Sequence, residues 1–264
     1  MEPHFTENTP VCLTIAGSDC SAGAGIQADL KTFSAFRTFG LSALTCVVSE
    51  TPREVAAVEA VSPGMLASQV SLLLRSYPVA ALKTGMLFSA AHMEAVADAL
   101  GDSPPPLIVD PVMIASTGDP LIEPEAVDYL AQRILPLATC LTPNLDEASH
   151  LLARPIQSRA DMESACHELA VRFQTAVLLK GGHLDESEEA FDLLVSEGRR
   201  QALTAPRLTD VSTHGTGCTY SAALCAALAQ GAELPEAARQ AKSYLTQAIR
   251  QSHRWPNGLQ ALAH

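Results

Sequence analysis

Residues 213–228 read THGTGCTYSAALCAAL, and this run predicts a tight turn that opens directly into a helix. Gly215 and Gly217 let the backbone bend sharply and let another molecule approach its N–H groups. The alanine- and leucine-rich residues that follow have high helix propensity and include neither glycine nor proline. The free N–H groups of the first helical turn, together with the positive end of the helix dipole, are suited to a phosphate or a developing oxyanion.

Cys218 places a thiol at the start of this predicted helix. A cysteine at a helix N-terminus can have a lowered pKa, which makes Cys218 a candidate proton acceptor or nucleophile. The alternative is a glycine–threonine helix cap with a small buried cysteine. The motif alone does not separate these two interpretations.

The composition indicates a globular protein that works in a reducing compartment. The chain has 264 residues, is 47% hydrophobic and 17% charged, and carries a formal net charge of −12, which disfavours nucleic-acid binding because that depends on cationic contacts to phosphate. The first residues lack the basic and apolar regions of a signal peptide, and no apolar run approaches the length of a membrane span. Seven cysteines without metal-type spacing fit reduced thiols. We therefore expect a cytoplasmic protein that binds neither membrane nor nucleic acid.

Apolar strands alternate with amphipathic helices along the chain, which predicts an α/β fold with a mostly parallel central sheet. We expect one domain at 11–252, an N-terminal tail at 1–10 and a C-terminal tail at 253–264. The predicted strands are 11–16, 41–48, 79–83, 107–109, 138–141, 176–179 and 191–195. The predicted helices are 24–39, 63–76, 90–100, 124–134, 144–152, 160–173, 216–230 and 234–252.

Ligands of open α/β sheets bind beyond the carboxyl ends of the strands, and polar clusters of this sequence fall at those ends. They are Gly17-Ser18-Asp19, Ser49-Glu50, Lys83-Thr84-Gly85-Met86, Asp110, Thr142-Pro143-Asn144 and Lys180-Gly181-Gly182-His183. We expect these clusters to meet at one edge of the sheet.

The stretch GAGIQA at 23–28 matches the dinucleotide-binding fingerprint, and Glu50 ends the next strand as a ribose ligand would. In that motif, however, the glycine-rich turn directly follows its strand, whereas six residues intervene here. A loop that closes over a small substrate fits the sequence better, with Asp29 on the first turns of the helix. A nicotinamide or flavin enzyme remains a weaker alternative, and the sequence has no P-loop motif.

Two acidic residues, Asp110 and Glu147, form a candidate magnesium site. Asp110 ends a buried strand, while Asn144 and Glu147 share one face at the start of a helix. Carboxylates with water and phosphate oxygens are what Mg²⁺ requires. The alternative is that Asn144 caps the helix and that Glu147 is its capping-box partner. Lys180 ends an apolar strand before two glycines, which favours a contact with phosphate over a lysine that only extends to solvent.

Two histidines, His183 and His214, lie in polar loops and are interpreted as hydrogen-bonding or exposed residues outside the catalytic set. The six cysteines other than Cys218 are interpreted as small core or loop residues.

Taken together, the motifs resemble the hydroxymethylpyrimidine and phosphomethylpyrimidine kinases of thiamin synthesis, within the ribokinase-like superfamily. The resemblance extends from Leu13 to about Ile249. It depends on TIAGSD at 14–19, GAGIQADLKT at 23–32, KTGML at 83–87, DPVM at 110–113, TPN at 142–144, KGGHL at 180–184 and THGTGCT at 213–219. It implies a three-layer sandwich with helices on both sides of the sheet. It also implies a reaction in which ATP phosphorylates 4-amino-5-hydroxymethyl-2-methylpyrimidine and then its monophosphate.

The resemblance further implies roles for individual residues. Cys218 is the expected catalytic base, the amides of Gly215–Cys218 including Gly217 form an anion hole, and Lys180 contacts the ATP phosphates. Asn144, Thr213, Gly215 and Thr216 complete the ATP site, and Asp110 with Glu147 organises Mg²⁺. The pyrimidine is expected to contact Gly17, Asp29, Glu50, Met86 and Val112. The family also suggests a homodimer.

The chain departs from the family pattern at three places: Thr51-Pro52 stands where Asn-Thr is usual, Ser116 where a lysine is common, and Ala22 where a glycine is usual. The loop at 116 therefore lacks a cation, and this difference concerns how the protein handles the second substrate, the pyrimidine monophosphate. Pyridoxal kinase is the closest alternative function, and a catalytically silent pyrimidine-binding protein is an alternative of another class.

Overall fold

The computed structural model describes residues 9–113, 124–182, 184 and 188–264. Its centre is a sheet of nine strands in the order β3-β2-β1-β4-β5-β6-β7-β8-β9. The strands are β1 Val11–Asp19, β2 Phe39–Thr51, β3 Glu54–Ala60, β4 Val79–Thr84, β5 Leu107–Val109, β6 Cys140–Leu141, β7 Ala176–Lys180, β8 Glu189–Ser196 and β9 Arg199–Pro206. A separate hairpin pairs β10 His253–Arg254 with β11 Gln260–Ala261.

The six strands from β2 to β7 in the sheet order are parallel, and β3, β8 and β9 pair antiparallel at the two edges. The central strands are almost completely buried, as expected for parallel strands that are covered on both faces. The carboxyl ends of the parallel strands therefore meet at one edge, where the predicted polar clusters lie.

Helices cover both faces of the sheet. They are α1 Gly25–Ala35, α2 Pro63–Ser76, α3 Ala90–Leu100, α4 Pro124–Tyr129 with a π-helical continuation Leu130–Ile134, α5 Leu145–Leu152, α6 Arg159–Phe173, α7 Thr216–Ala229 and α8 Leu234–Arg250. One apolar core joins the sheet to α2 through α6, and a second joins it to α1, α7 and α8. This arrangement is the three-layer sandwich that the sequence predicts. None of the helices in the described ranges is long and apolar enough to cross a membrane.

The structure corrects the predicted C-terminal boundary. Residues 253–264 are not a tail, because they form the β10–β11 hairpin and return to the helical layer of α1 and α8. Leu262 is 4% exposed and belongs to the second core. The imidazole of His264 lies 3.2 Å from the hydroxyl of Thr32 on α1, and the Ala263 N–H donates to the carbonyl of Ala248. The N-terminal residues 1–8 lie outside the described residues.

Candidate functional site

A cavity of about 950 Å³ lies at the carboxyl ends of the parallel strands. All but one of the predicted site residues line it: Gly17, Glu50, Met86, Asp110, Val112, Asn144, Glu147, Lys180, Thr213, Gly215, Thr216, Gly217 and Cys218. These residues are separated by up to two hundred positions in the sequence, so the parallel topology brings them together. Two features named from the sequence, His183 and the loop that contains Ser116, lie outside the described residues.

The turn before α7 is built on glycine geometry. Gly215 is the N-cap residue and has φ of +79°, a left-handed conformation that side chains disfavour. A Cβ atom at Gly215 would lie 1.8 Å from the carbonyl oxygen of Gly23, so the turn also packs against the loop before α1. A Cβ at Gly217 would lie 3.3 Å from the Lys180 ammonium. The start of α7 therefore lies beside the Lys180 ammonium, an arrangement suited to a phosphate.

Lys180 and Asp110 form a partly buried ion pair beside this turn. The Nζ atom of Lys180 donates to Oδ1 of Asp110 at 2.8 Å, and the side chains are 14% and 2% exposed. The hydroxyls of Thr142 and Ser221 also donate to the Asp110 carboxylate, at 3.2 and 3.3 Å. Burial acts to raise the pKa of Asp110, but the positive charges of Lys180 and Lys83 outweigh it and lower that pKa. Asp110 is thus a charged carboxylate at neutral pH.

Asn144 and Glu147 form the capping box that was the structural alternative for this pair. The Asn144 N–H donates to Glu147 Oε2 at 2.7 Å, and the Glu147 N–H donates to Asn144 Oδ1 at 2.8 Å. Burial raises the pKa of Glu147 to about 7, although Lys180 acts to lower it, and the charge of Asp110 raises it further. Both carboxylates line the cavity, and they offer the hard oxygen ligands that Mg²⁺ would require. Asp110 and Glu147 therefore fit Mg²⁺.

The predicted contact between Asp29 and the pyrimidine is wrong in its geometry. Asp29 lies on the sheet-facing side of α1, is completely buried, and does not line the cavity. Its carboxylate accepts from the Lys83 ammonium at 2.9 and 3.0 Å and from the Thr14 hydroxyl at 2.6 Å. Sequence reasoning placed Asp29 on the first turns of the helix but directed its side chain toward the substrate. The signal was Lys83, a lysine at the end of an apolar strand, which needs a buried partner.

The thiol of Cys218 is half-buried in the cavity wall, and its environment differs from the expected one. Burial raises the pKa of Cys218 to about 11, while Lys83 acts to lower it and the carboxylates of Asp29 and Asp110 act to raise it. The predicted lowering of its pKa by the helix N-terminus is therefore wrong. Cys218 is a protonated thiol at neutral pH, because burial outweighs the positive charge of Lys83.

A second polar cluster fastens the loop before α1 to the turn before α7. Asp19 accepts from the amides of Ser21, Gly23 and Ala24 at 2.7–3.0 Å, and the imidazole of His214 lies 2.9 Å from its Oδ2 atom. Burial acts to raise the pKa of Asp19, but His214 and the loop donors lower it to about 2. His214 is hydrogen-bonded, which is one of the two outcomes the sequence predicts for it. The signal that sequence reasoning missed is Asp19, a carboxylate directly before a glycine-rich loop.

Glu50 stands at the edge of the same cluster and lines the cavity. Ligand atoms of Glu50, Asp19 and His214 lie within 4.8 Å of one another. Burial and the charge of Asp19 raise the pKa of Glu50, while His214 acts to lower it. The Asp19 oxygens accept hydrogen bonds from three loop amides, so we assign the cluster to holding the loop and Glu50.

Comparison with known proteins identifies the class of molecule. Residues 19–262 match the sequence model of the family described as phosphomethylpyrimidine kinase. The chain is 41% identical over 255 residues to a hydroxymethylpyrimidine/phosphomethylpyrimidine kinase of Synechococcus elongatus, covering 97% of each chain. Among solved structures, an ADP complex of Bacillus subtilis pyridoxal kinase has a TM-score of 0.90 at 34% identity, covering 97% of this chain and 98% of that one. A phosphomethylpyrimidine kinase from Clostridium difficile has a TM-score of 0.80 at 38% identity, covering 90% and 99%.

The fold and the site define a kinase of the ribokinase-like class, in which a helix N-terminus, a lysine and acidic residues meet at the edge of a parallel sheet. Within that class, the chain belongs to the phosphomethylpyrimidine kinase family. The fold, the family and the kinase class that the sequence motifs predict are confirmed.

Proposed function

We propose that this protein transfers the terminal phosphoryl group of ATP to 4-amino-5-hydroxymethyl-2-methylpyrimidine and to its monophosphate. The observation that carries the proposal is that one cavity holds the α7 turn, Lys180, Cys218 and Glu50 together in a chain from the phosphomethylpyrimidine kinase family. Each of these groups has a task in phosphoryl transfer to a small alcohol, which needs alignment and charge neutralisation more than covalent help.

The phosphate end of the site is formed by the amides of Gly215–Cys218 and by Lys180. Amides at a helix N-terminus bind phosphate oxygens without reorganisation, and the Lys180 ammonium lies beside them. Asn144, Thr213 and Thr216 line the same wall. Asp110 and Glu147 would hold Mg²⁺, which would neutralise charge on the transferring phosphoryl group.

In this proposal the reacting form of Cys218 is the thiolate: the thiol first gives its proton to solvent, and the thiolate then accepts the hydroxymethyl proton. Because its pKa is raised, the thiolate is a minor form at neutral pH, but in a loose transition state the alcohol proton leaves late, when the oxygen is already bonding to phosphorus. The ammonium groups of Lys83 and Lys180 favour the thiolate form at that stage. Cys218 acts as a proton acceptor and not as a covalent nucleophile.

The alcohol is held at the other end of the cavity by Gly17, Glu50, Met86 and Val112. The Met86 carbonyl accepts from the Thr45 hydroxyl at 2.8 Å, which fixes the segment after β4. A Cβ atom at Gly17 would lie 2.9 Å from both the Cys46 sulfur and the Met86 methyl group, so the wall is tightly packed there. Glu50, whose pKa is raised by burial, provides a carboxyl group for the polar edge of the pyrimidine.

Pyridoxal kinase is the second candidate, because a pyridoxal kinase from Bacillus subtilis superimposes with a TM-score of 0.90. A coupled assay of ADP formation with hydroxymethylpyrimidine, its monophosphate and pyridoxal distinguishes the two. We expect turnover with the pyrimidines to exceed turnover with pyridoxal. Activity on pyridoxal alone would contradict the proposal, and ligand binding without ADP formation would favour a silent binding protein.

Substitutions test the roles of the two central residues. Cys218→Ser is expected to lower kcat by about 10²-fold, the range of general-base catalysis, while KM for ATP changes little. Lys180→Ala is expected to raise KM for ATP and to lower kcat/KM by about 10²-fold, because a phosphate contact is lost. Arg199→Ala, which removes an exposed cation of β9 outside the cavity, serves as the control. Full turnover by Cys218→Ser would show that the base assignment is wrong.

We also infer a homodimer built on the β2–β3–α2 edge, and a cytoplasmic location in keeping with seven free thiols. Six exposed large apolar residues of the described ranges lie at this edge: Phe39, Val47, Val58, Met65, Leu72 and Tyr77. The rings of Phe39 and Tyr77 stack with centroids 6.3 Å apart. An apolar area of this kind is typical of an interface.

Light scattering after size exclusion tests the dimer. The double variant Val47→Asp/Val58→Asp is expected to be a monomer, and Val171→Asp on α6, which is also exposed, serves as the control. A dimer that persists in the double variant would place the interface elsewhere.

A further inference from the structure

A carboxylate that the reaction does not use lies directly beside Lys180. Asp192 on β8 is the register partner of Lys180 on β7. Directly opposite residues of antiparallel strands carry their side chains on the same face of the sheet, with Cβ atoms about 4.5–5.5 Å apart. Both residues line the cavity. Asp192 and Asp110 are therefore two buried acids within reach of one ammonium group.

Lys180 nevertheless pairs with Asp110, because Asp192 has its own cation. The ammonium of Lys242 on α8 donates to Asp192 Oδ2 at 2.6 Å, and the Gly181 amide donates to Oδ1 at 3.0 Å. The side chains of Lys242 and Asp192 are 10% and 3% exposed. A buried carboxylate without a cation is strongly unfavourable, so the Lys242 ammonium stabilises the charged form of Asp192.

The same contacts fix the turn that carries Lys180. The Gly181 amide is bonded to Asp192, and the Gly182 carbonyl accepts from Arg207 at 2.6 Å. A Cβ at Gly181 would lie 2.6 Å from the carbonyl oxygen of Phe191, so the turn is packed directly against β8. Asp192 is therefore needed at this position to hold the backbone, although its charge competes for Lys180.

We propose that Lys242 is a positioning residue for phosphoryl transfer: it neutralises Asp192, so that the Lys180 ammonium stays directed toward Asp110 and the ATP phosphates. This inference depends on the proposed function, in which Lys180 binds phosphate. Without the Lys242 charge, Asp192 has the Lys180 ammonium, carried by its register partner on the adjoining strand, as an alternative cation. If the Lys180 ammonium paired with Asp192, it would neutralise less of the negative charge of Asp110 and of the bound phosphate.

Two variants with neutral substitutions distinguish the neutralisation of Asp192 by Lys242 from a role of Lys242 in packing. Lys242→Gln keeps a polar side chain but leaves the Asp192 charge. The double variant Lys242→Gln/Asp192→Asn removes both charges, and the new amide oxygen can still accept from the Gly181 N–H. Lys242→Gln is expected to raise KM for ATP by about tenfold with a smaller change in kcat, and the double variant to recover to within about threefold of the parent. Lys242→Arg, which retains the charge, is also expected to approach parental KM.

Arg239→Met is the control, since Arg239 is an exposed residue of α8 that pairs with Glu236. Thermal unfolding of each variant reports folding, and the double variant and Lys242→Arg keep the test valid if Lys242→Gln does not fold. A double variant as impaired as Lys242→Gln, or a Lys242→Gln with parental KM, would overturn the inference. The proposed function is tested separately by the parent protein, because its failure would appear as absent turnover with the pyrimidines in every sample.

Discussion

The thiol of Cys218 lies at the N-terminus of α7, where a helix dipole favours the thiolate, yet burial raises its pKa to about 11. The sequence shows the helix start but not the burial, which depends on packing against α1 and the strand ends. For the same reason the sequence could not predict that Asp29 turns inward to Lys83, although the other predicted site residues all line the cavity. Local motifs predict which residues meet, and packing decides their protonation.

Alkylation measures this effect directly. Because only the thiolate reacts, the logarithm of the Cys218 alkylation rate is expected to rise by about one per pH unit through about pH 10, whereas the rate of an ordinary thiol levels off at about pH 8.5. Iodoacetamide labelling followed by peptide mass spectrometry gives the rate. The exposed thiol of Cys20 in the same digest controls for reagent consumption. A Cys218 rate that already levels off where an ordinary thiol does would contradict the raised pKa.

The left-handed conformation of Gly215 predicts that a substitution at this residue lowers both stability and activity. Gly215→Ala places a methyl group 1.8 Å from the Gly23 carbonyl oxygen in a left-handed conformation, so the turn must shift, at a cost beyond the roughly 1–2 kcal/mol of backbone strain. We expect kcat/KM to fall by more than about tenfold, because the amides of the anion site move. Gly231 has a similar positive φ, but a Cβ there would have open space around it. Gly231→Ala therefore measures the cost of backbone strain without a close contact. Equal effects of the two substitutions on the free energy of unfolding would argue against the close contact.

At the scale of elements, periodicity predicts the interior strands and most helices well. The helices at 63–76 and 90–100 and the strand at 107–109 have the predicted bounds. Two of the missed strands, β3 and β9, have mostly exposed side chains and lie at the two edges of the sheet, so they lack the apolar signal of buried strands. Strand pairing at the edges comes from neighbouring strands and not from local hydrophobicity.

The buried small residues of helix α7 indicate that its layer is tightly packed. Nine of its residues are buried, mostly small ones, and the helix packs between the sheet and α8. Ala223→Leu is expected to lower the free energy of unfolding by about 1–3 kcal/mol, because the added volume has no space. Urea denaturation gives this value. Ala91→Leu on the exposed side of α3 is the matched control and is expected to change stability little. No loss in Ala223→Leu would mean that the α7 layer has room to adapt.

At the scale of the whole molecule, one cavity draws its walls from Ala16 on the first strand to Ile249 near the end of α8. A ligand bound there contacts groups that are far apart in the sequence, so its binding free energy opposes global unfolding. No local motif predicts this stabilisation by a ligand, because it arises from the order of strands in the sheet.

Nucleotide binding is therefore expected to raise the midpoint of one cooperative unfolding transition. At a nucleotide concentration about 100 times Kd, the free energy of unfolding should increase by about 2.7 kcal/mol. Differential scanning calorimetry with ADP and Mg²⁺ measures the shift, and Lys180→Ala should reduce it. Two separate transitions, of which only one responds to nucleotide, would contradict a single cooperative unit.

The close approach of Gly215 to the Gly23 carbonyl also constrains how this protein can evolve. A mutation that adds a side chain at 215 is harmful while the loop before α1 keeps its present path, whereas a change in that loop can be accepted first. Substitutions at the two places are therefore epistatic and ordered in time. Descendant lineages should retain glycine at 215 unless their loop at 23 has already been remodelled.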